Sequence, residues 1–455
     1  MPSTARTGCA VTPNPKYKRS SRRSKRSCSS LDTSSQTLSA LGYFQTLPLE
    51  IFEMVLDYLP VKDISTLSMA SKTISTHLVN YISSPSGNRR LLVQDFHSLE
   101  PPGHSDGSAV VEHYRSVGLL LKRCTLLLPT RDRLKYAHKV LSEVLCFKLH
   151  GCPSPLHCSG LQCYGVFLQI LTAGWDELEC HRVFNFLCEL SDLPRKVQAV
   201  VSSKPGSARK LELRIRLYCR SVFLNPWIQR SDSAFWLSRI LKPWPIVNQA
   251  RLLYIIFGPV SSLDGKGVHS QGHVVWQKMV EGPTDEASLK GLAEAIKLLY
   301  DTEAREWTAD DVISLVDELS VVPQEWLLEN NVRLLILSGN SVCFTFLASK
   351  AVNGRAAELA RLVVFLTLVC EKELYCMSWA VSMMQKVCQV FGSPGEQSKF
   401  LQCVENAFAH MVMDLLQEIL SGDQDEDGST FLNLFHLLNA QASFHKEILY
   451  LTMRS

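Results

Sequence analysis

Residues 47 to 74, LPLEIFEMVLDYLPVKDISTLSMASKTI, constrain the fold more than any other stretch of this chain. Pro48 suits the first turn of a helix, where its missing N–H costs nothing. Ile51, Val55, Leu56 and Leu59 then recur at helical spacing on one side. Pro60 stops that helix. A second short helix with Asp63 in its first turn presents Ile64 and Leu67, and a third, beginning near Ser71, presents Ile74, Leu78, Tyr81 and Ile82. Three short helices of about forty residues bury little apolar surface alone. Some of these side chains therefore need cover from outside, which a helix-in-groove contact with another protein would supply.

At 455 residues, 46% apolar and 20% charged, the chain is long enough for two or three ordinary globular cores, and a net charge of +3 gives no whole-chain attraction to nucleic acid. The N-terminus carries basic and polar residues but no apolar signal segment, so fifteen cysteines, an odd set, point to a reduced compartment. The longest apolar run, LVVFLTLVC between Arg361 and Glu371, is about half of what a bilayer crossing needs and reads as a buried helix. No membrane partner is expected.

Residues 1–42 have almost no apolar periodicity and no acidic side chain before Asp32, which predicts a disordered tail. Within it Lys16, Lys18, Arg19, Arg22, Arg23, Lys25 and Arg26 alternate with serines, a composition that fits a nuclear-localisation signal. The nucleus is the expected compartment, with the cytoplasm as the second. The tail could also be merely solvated or contact nucleic acid, but the remaining sequence gives nucleic-acid binding no support. The three-helix unit occupies 43–83, a linker with a short helix 84–108 and a helical domain 109–258. A Gly- and Pro-rich loop or boundary follows at 259–288, then a second helical domain at 289–455. In that last part Thr308 followed by Asp311 resembles a capping box opening a helix through Val312, Leu315, Val316 and Leu319. Strand signals are weak throughout. The expected fold is all-α: three short helices and then an irregular helical array with no period clean enough to name a repeat.

Several constellations suggest chemistry and fail on spacing. Val332 to Val342 fits a single leucine-rich template, but such repeats need neighbours and no second copy follows. Cys146, Cys152, His157, Cys158 and Cys163 offer zinc donors, yet no CxxC knuckle occurs anywhere, so they read as buried structural residues and no metal is expected. Asp423, Asp425, Asp427 and Gly428 begin a calcium loop whose twelfth position is Leu434 instead of Glu. Gly265, Gly267 and Ser270 lack the strand and third glycine of a dinucleotide site. No Walker loop, nucleophile elbow or HExxH helix is present, and Cys180-His181 are adjacent only in sequence. No catalytic residue and no cofactor are expected. Trp227, Trp236, Trp244, Trp276, Trp307 and Trp326 read first as core, and second as a docking surface near Trp236.

The spaced pattern Leu47-Pro48, Glu50-Ile51, Val55-Leu56, Leu59-Pro60, Lys62-Asp63-Ile64, Leu67 and Ser71-Lys72 resembles an F-box, with Ile74 where that family usually carries Trp. The passages at 171–190, 230–259 and 306–331 resemble one branch of the F-box family, whose substrate domain has no named repeat. The resemblance implies a non-catalytic receptor. Leu47, Pro48, Ile51, Val55, Leu59, Ile64 and Leu67 would contact the Skp adaptor, which hangs on a cullin carrying a RING subunit. The helical C-terminal region would hold an unknown protein substrate. The rival expectation is a nuclear F-box scaffold that assembles no ligase.

Overall fold

The computed structural model describes residues 47–93, 96–97, 106–156, 158–261, 272–302, 307–421 and 429–454. The basic cluster at 16–26, the acidic loop at 423–428 and the glycines at 265 and 267 lie outside them. Among the described residues the fold is all-α, with one isolated bridge between Val260 and Val274 and no strand.

Proline sets where many of these helices begin. Pro48 and Pro60 occupy the positions just before α1 (Leu49–Tyr58) and α2 (Val61–Leu67), with extended ψ values that aim their carbonyls into the first turn. Ser71 opens α3 (Lys72–Ile82) by accepting from the Thr73 N–H, and Ser84 caps α4 (Pro85–Leu91) in the same way. Inside this group Phe52, Leu56, Ile64, Ile74, Leu78, Tyr81 and Ile82 are buried together. Arg90 of α4 closes the C-terminal end of α1 by donating to the carbonyls of Asp57 at 2.8 Å and Leu59 at 2.7 Å.

The helices that follow are α5 (Asp106–Cys124), α6 (Thr130–Ser142), α7 (Gly160–Thr172), α8 (Glu177–Ser191), α9 (Leu193–Val201) and α10 (Arg209–Tyr218). A π-helical turn, Cys219–Leu224, extends α10. Then come α11 (Arg230–Leu241), α12 (Ile246–Phe257), the single turn α13 (Lys278–Glu281) and α14 (Glu286–Asp301). The last seven are α15 (Ala309–Leu319), α16 (Leu328–Ser338), α17 (Asn340–Val352), α18 (Ala356–Lys372), α19 (Met377–Cys388), α20 (Pro394–Ser421) and α21 (Ser429–Arg454). α5 packs on α2 and α3 on one side and on α7 on the other, which joins the first three helices to the array. Arg123 of α5 donates to Ser65 Oγ at 3.0 Å, and Ser75 Oγ donates to the Cys124 carbonyl at 3.0 Å.

Residues 47–455 form one compact unit, so the expected division at 259–288 is not a gap in packing. Buried polar groups secure the near flank of that stretch, tie its described part to α10, and cross it. Arg216 donates to the carbonyls of Ile255 and Gly258, and buried Glu212 accepts from Trp276 Nε1 at 3.0 Å and from the Gly206 N–H at 2.9 Å. Tyr254 stacks on Trp276 with centroids 4.8 Å apart, and Trp307 Nε1 donates to Ser238 Oγ at 3.0 Å. Trp236, Trp276, Trp307 and Trp326 are core residues, whereas Trp227 and Trp244 beside Trp236 are half-buried.

The C-terminal helices follow the sequence periodicity closely. The apolar run at 361–371 lies inside α18, where Leu362, Val363, Val364, Leu366, Leu368, Val369 and Cys370 are buried among α16, α17, α20 and α21. No described helix is long and apolar enough to cross a membrane. The leucine-rich template at 332–342 falls across α16 and α17, which excludes its strand. The capping box of α15 forms as expected, with Thr308 Oγ1 accepting from Asp311 N at 3.1 Å and Asp311 accepting from Thr308 N at 3.0 Å. That backbone bond, with Lys242 nearby, holds the Asp311 carboxyl below its ordinary value. Its contribution is therefore present above the usual carboxylate range and lost as pH falls through the depressed value. Thr308→Ala is expected to lower stability by about 1 kcal/mol, read as a shift in the urea midpoint at neutral pH.

Candidate functional site

The two faces of α1 differ in what covers them. Phe52 and Leu56 point inward and are buried, whereas Ile51 and Met54 remain 43% and 54% exposed and Tyr58 reaches 86%. With half-buried Val55 these residues sit at positions i, i+3, i+4 and i+7, one continuous stripe. Leu47 and Leu49, also exposed, extend it past the start of the helix, and exposed Met69 follows α2. Apolar side chains clustered on so small a unit mark a protein-binding face more often than scattered exposure does.

The structure separates the seven expected adaptor contacts. Leu47, Pro48 and Ile51 are exposed, and Val55, Leu59 and Leu67 are half-buried, so all six retain surface for a partner. Ile64 is fully buried and belongs to the core that holds the three helices together. It has no surface to offer and is removed from the contact set. Met54 and Tyr58 stand on the same exposed face, and the spacing from Ile51 already contained them. Ile74 is also core, at 3% exposure, so its difference from the family Trp alters internal packing and leaves the exposed face untouched.

The polar framework under this face is anchored by Asp57, whose carboxylate accepts from Tyr81 Oη and pairs with Arg90 at 3.8 Å. Burial, and then the Asp57 carboxylate, push the Tyr81 phenol well above its ordinary value, which keeps it a hydrogen-bond donor. A neutral donor fixed on a carboxylate suits a rigid framework. Nothing here forms a nucleophile and base around a substrate-sized space.

A second cluster lies beyond the short linker. Cys146, Cys152 and Cys158 converge, as three of the five donors weighed from the sequence, and the imidazole beside them is His97. Cys163 sits apart, fully buried in α7, and His157 lies outside the described residues. Cys146 and Cys152 are buried as expected, and Cys158 is half-buried. The fourth donor comes from 49 residues upstream of Cys146, where local spacing could not reveal it.

Two family models match the chain: the F-box domain over residues 44–80, and "FBXO47, ARM repeats" over residues 189–446. The second gives a repeat name to helices that showed no clean period in sequence, and corrects the expectation of a domain without one. F-box only protein 47 of Mus musculus and F-box only protein 47 of Homo sapiens are each 67% identical over 455 residues, covering 100% of this chain and 99% of the relative. No solved structure matches. With similarity running from end to end and the ARM-repeat model spanning more than half its length, the chain belongs to the F-box only protein 47 family.

Proposed function

We propose that the chain is the substrate-recognition subunit of a Skp–cullin–F-box ubiquitin ligase. It docks the Skp adaptor through the exposed stripe of α1 and the N-terminal residues Leu47 and Pro48. The observation that carries this reading is an F-box whose first helix keeps Ile51, Met54 and Tyr58 uncovered while its other face is packed. The chain performs no chemistry. Its part is positional, since holding a substrate beside a ubiquitin thioester on the same scaffold raises the effective concentration of the attacking lysine.

The substrate surface in this reading is the α20–α21 hairpin. Phe431, Phe435 and Leu438 are exposed at 64%, 59% and 47% and recur at helical spacing along α21. Phe431→Asp with Phe435→Asp is expected to leave adaptor binding and thermal stability unchanged while removing the ubiquitin-modified partner that co-purifies with wild type, read by quantitative mass spectrometry. The basic cluster Lys16 to Arg26 supports nuclear action, and its deletion should move a fluorescent fusion to the cytoplasm.

The experiment for the main reading is purification of the tagged full chain from cells beside a Leu47→Ala, Pro48→Ala variant, with adaptor and cullin quantified in both. Recovery of both proteins with wild type and their loss with the variant support a ligase receptor. A partner recovered without cullin from the wild-type chain favours the scaffold.

A further inference from the structure

We infer that His97, Cys146, Cys152 and Cys158 form a structural zinc site that ties the segment following the F-box to the helical array. The donor atoms of all four residues lie within 4.8 Å of one another. His97 Nε2 sits 3.3 Å from Cys146 Sγ and 3.4 Å from Cys152 Sγ, so one ring nitrogen faces two sulfurs. With zinc–sulfur bonds of about 2.3 Å and zinc–nitrogen bonds of about 2.0–2.1 Å, a tetrahedron has sulfur–nitrogen edges near ~3.6 Å and sulfur–sulfur edges near ~3.8 Å. The cluster is thus the size of a closed four-donor zinc shell, and three sulfurs with one imidazole form one of the metal's usual structural sets.

The backbone around the donors is shaped to permit this convergence. Cys146 lies in a single 3-10 turn, Leu145–Phe147, and Cys152 follows the tight turn closed by Gly151 N donating to the Lys148 carbonyl at 3.0 Å. A Cβ on Gly151 would stand 1.9 Å from the Leu145 carbonyl oxygen, so only glycine permits the turn that brings the two cysteines together. Gly160, at the start of α7, is constrained from the other side. Its Cβ would meet Cys146 Cβ at 2.9 Å and Cys158 Sγ at 3.1 Å. Its N–H donates to Cys158 Sγ at 3.3 Å, the kind of amide contact that stabilises a metal-bound thiolate. Phe96, next to His97, and Phe147, next to Cys146, are both buried with ring centroids 6.1 Å apart.

Among the described residues between the second turn and α7 there is no regular element, and Pro153 and Pro155 remove two backbone donors. Metal binding balances as follows: three thiols release three protons, the neutral imidazole gives its Nε2 lone pair, and Zn²⁺ with three thiolates carries a net charge of −1. Arg214, whose Nη2 lies 3.5 Å from the Cys152 carbonyl, supplies a nearby positive charge. The mechanical consequence is a clamp: Tyr114 Oη already holds the Val93 carbonyl at 3.1 Å, and the metal would hold the same strap four residues further on.

The test uses the full chain, purified without a polyhistidine tag under reducing conditions from zinc-supplemented cells. Metal content by plasma mass spectrometry is expected at one zinc per chain, and zinc-edge absorption is expected to read three sulfurs and one nitrogen. Cys152→Ser and His97→Ala should each lose most of the metal. Cys219→Ser, a buried cysteine of the π-helical turn, should keep all of it. Should the ligand variants fold poorly, chelator treatment of wild type replaces them, with a fall in Tm that zinc restores and cobalt(II) partly restores with thiolate charge-transfer absorption. Metal-free protein with all three thiols open to alkylation, a Cys146–Cys152 disulfide, or zinc retained equally by every variant would each overturn the inference.

Discussion

Ile51→Asp combined with Tyr58→Asp is expected to weaken binding of the Skp adaptor by about 2–4 kcal/mol, roughly a 30-fold to 900-fold rise in Kd, with helix content and thermal midpoint unchanged. Both side chains stand on the uncovered face of α1, Ile51 at 43% and Tyr58 at 86% exposure, and neither supports the inner packing of Phe52 and Leu56. A carboxylate placed there opposes a docking partner without disturbing the folded chain. Ile64→Val supplies the contrast. That residue is fully buried, so its shortening should cost about 1 kcal/mol of stability and leave the Kd within error. Titration calorimetry with purified adaptor separates the two outcomes, and equal losses from both variants would show that the face has been assigned to the wrong side of the helix.

Arg333→Met is expected to cost about 3 kcal/mol of stability, the largest single effect in the C-terminal array. Arg333 is 3% exposed and donates to Glu329 at 3.1 Å and to Glu373 at 2.6 Å, while Lys372 reaches the other oxygen of Glu329 at 2.9 Å and Asn433 at 3.1 Å. The network fastens α16 to α18 and, through Asn433, to α21. Removing the guanidinium leaves the Glu329 carboxylate, 6% exposed, with Lys372 as its remaining cation. This places the cost at the lower end of the range for a broken buried pair, about 3–5 kcal/mol. Replacing Glu329 by Met as well should recover part of the loss, since the under-compensated carboxylate is then gone while Lys372 keeps Asn433. Urea unfolding of the two variants measures both numbers, and a single-variant loss under about 1 kcal/mol would mean that solvent reaches the carboxylate.

The parts of this fold legible in the sequence are those set by local chemistry. Pro48 and Pro60 bracket α1, Thr308 and Asp311 open α15, and the apolar run at 361–371 is the buried stretch of α18. Each signal lies within a few residues of the feature it specifies. The division expected at 259–288 rests on composition, and composition says nothing of Glu212 holding Trp276 or of Trp307 reaching Ser238 from beyond that stretch. The exposed face of α1 is half legible: spacing groups Ile51 with Val55 but cannot say that Ile64 turns inward, because that depends on which helices pack against it. The ARM-type repeat was hidden for a related reason, as helices of unequal length joined by irregular loops carry no fixed period. The cysteine cluster was the least legible, since three donors are close in sequence and the fourth arrives only through the fold.

The most direct test of the central claim is reconstitution from purified components: the full chain mixed with the Skp adaptor, then with the cullin and RING subunits, followed by size-exclusion chromatography with mass determination. The account predicts a stoichiometric complex containing all four proteins, and its disappearance with the Ile51→Asp, Tyr58→Asp variant. A chain that elutes alone, or one that binds the adaptor and excludes cullin, would contradict it.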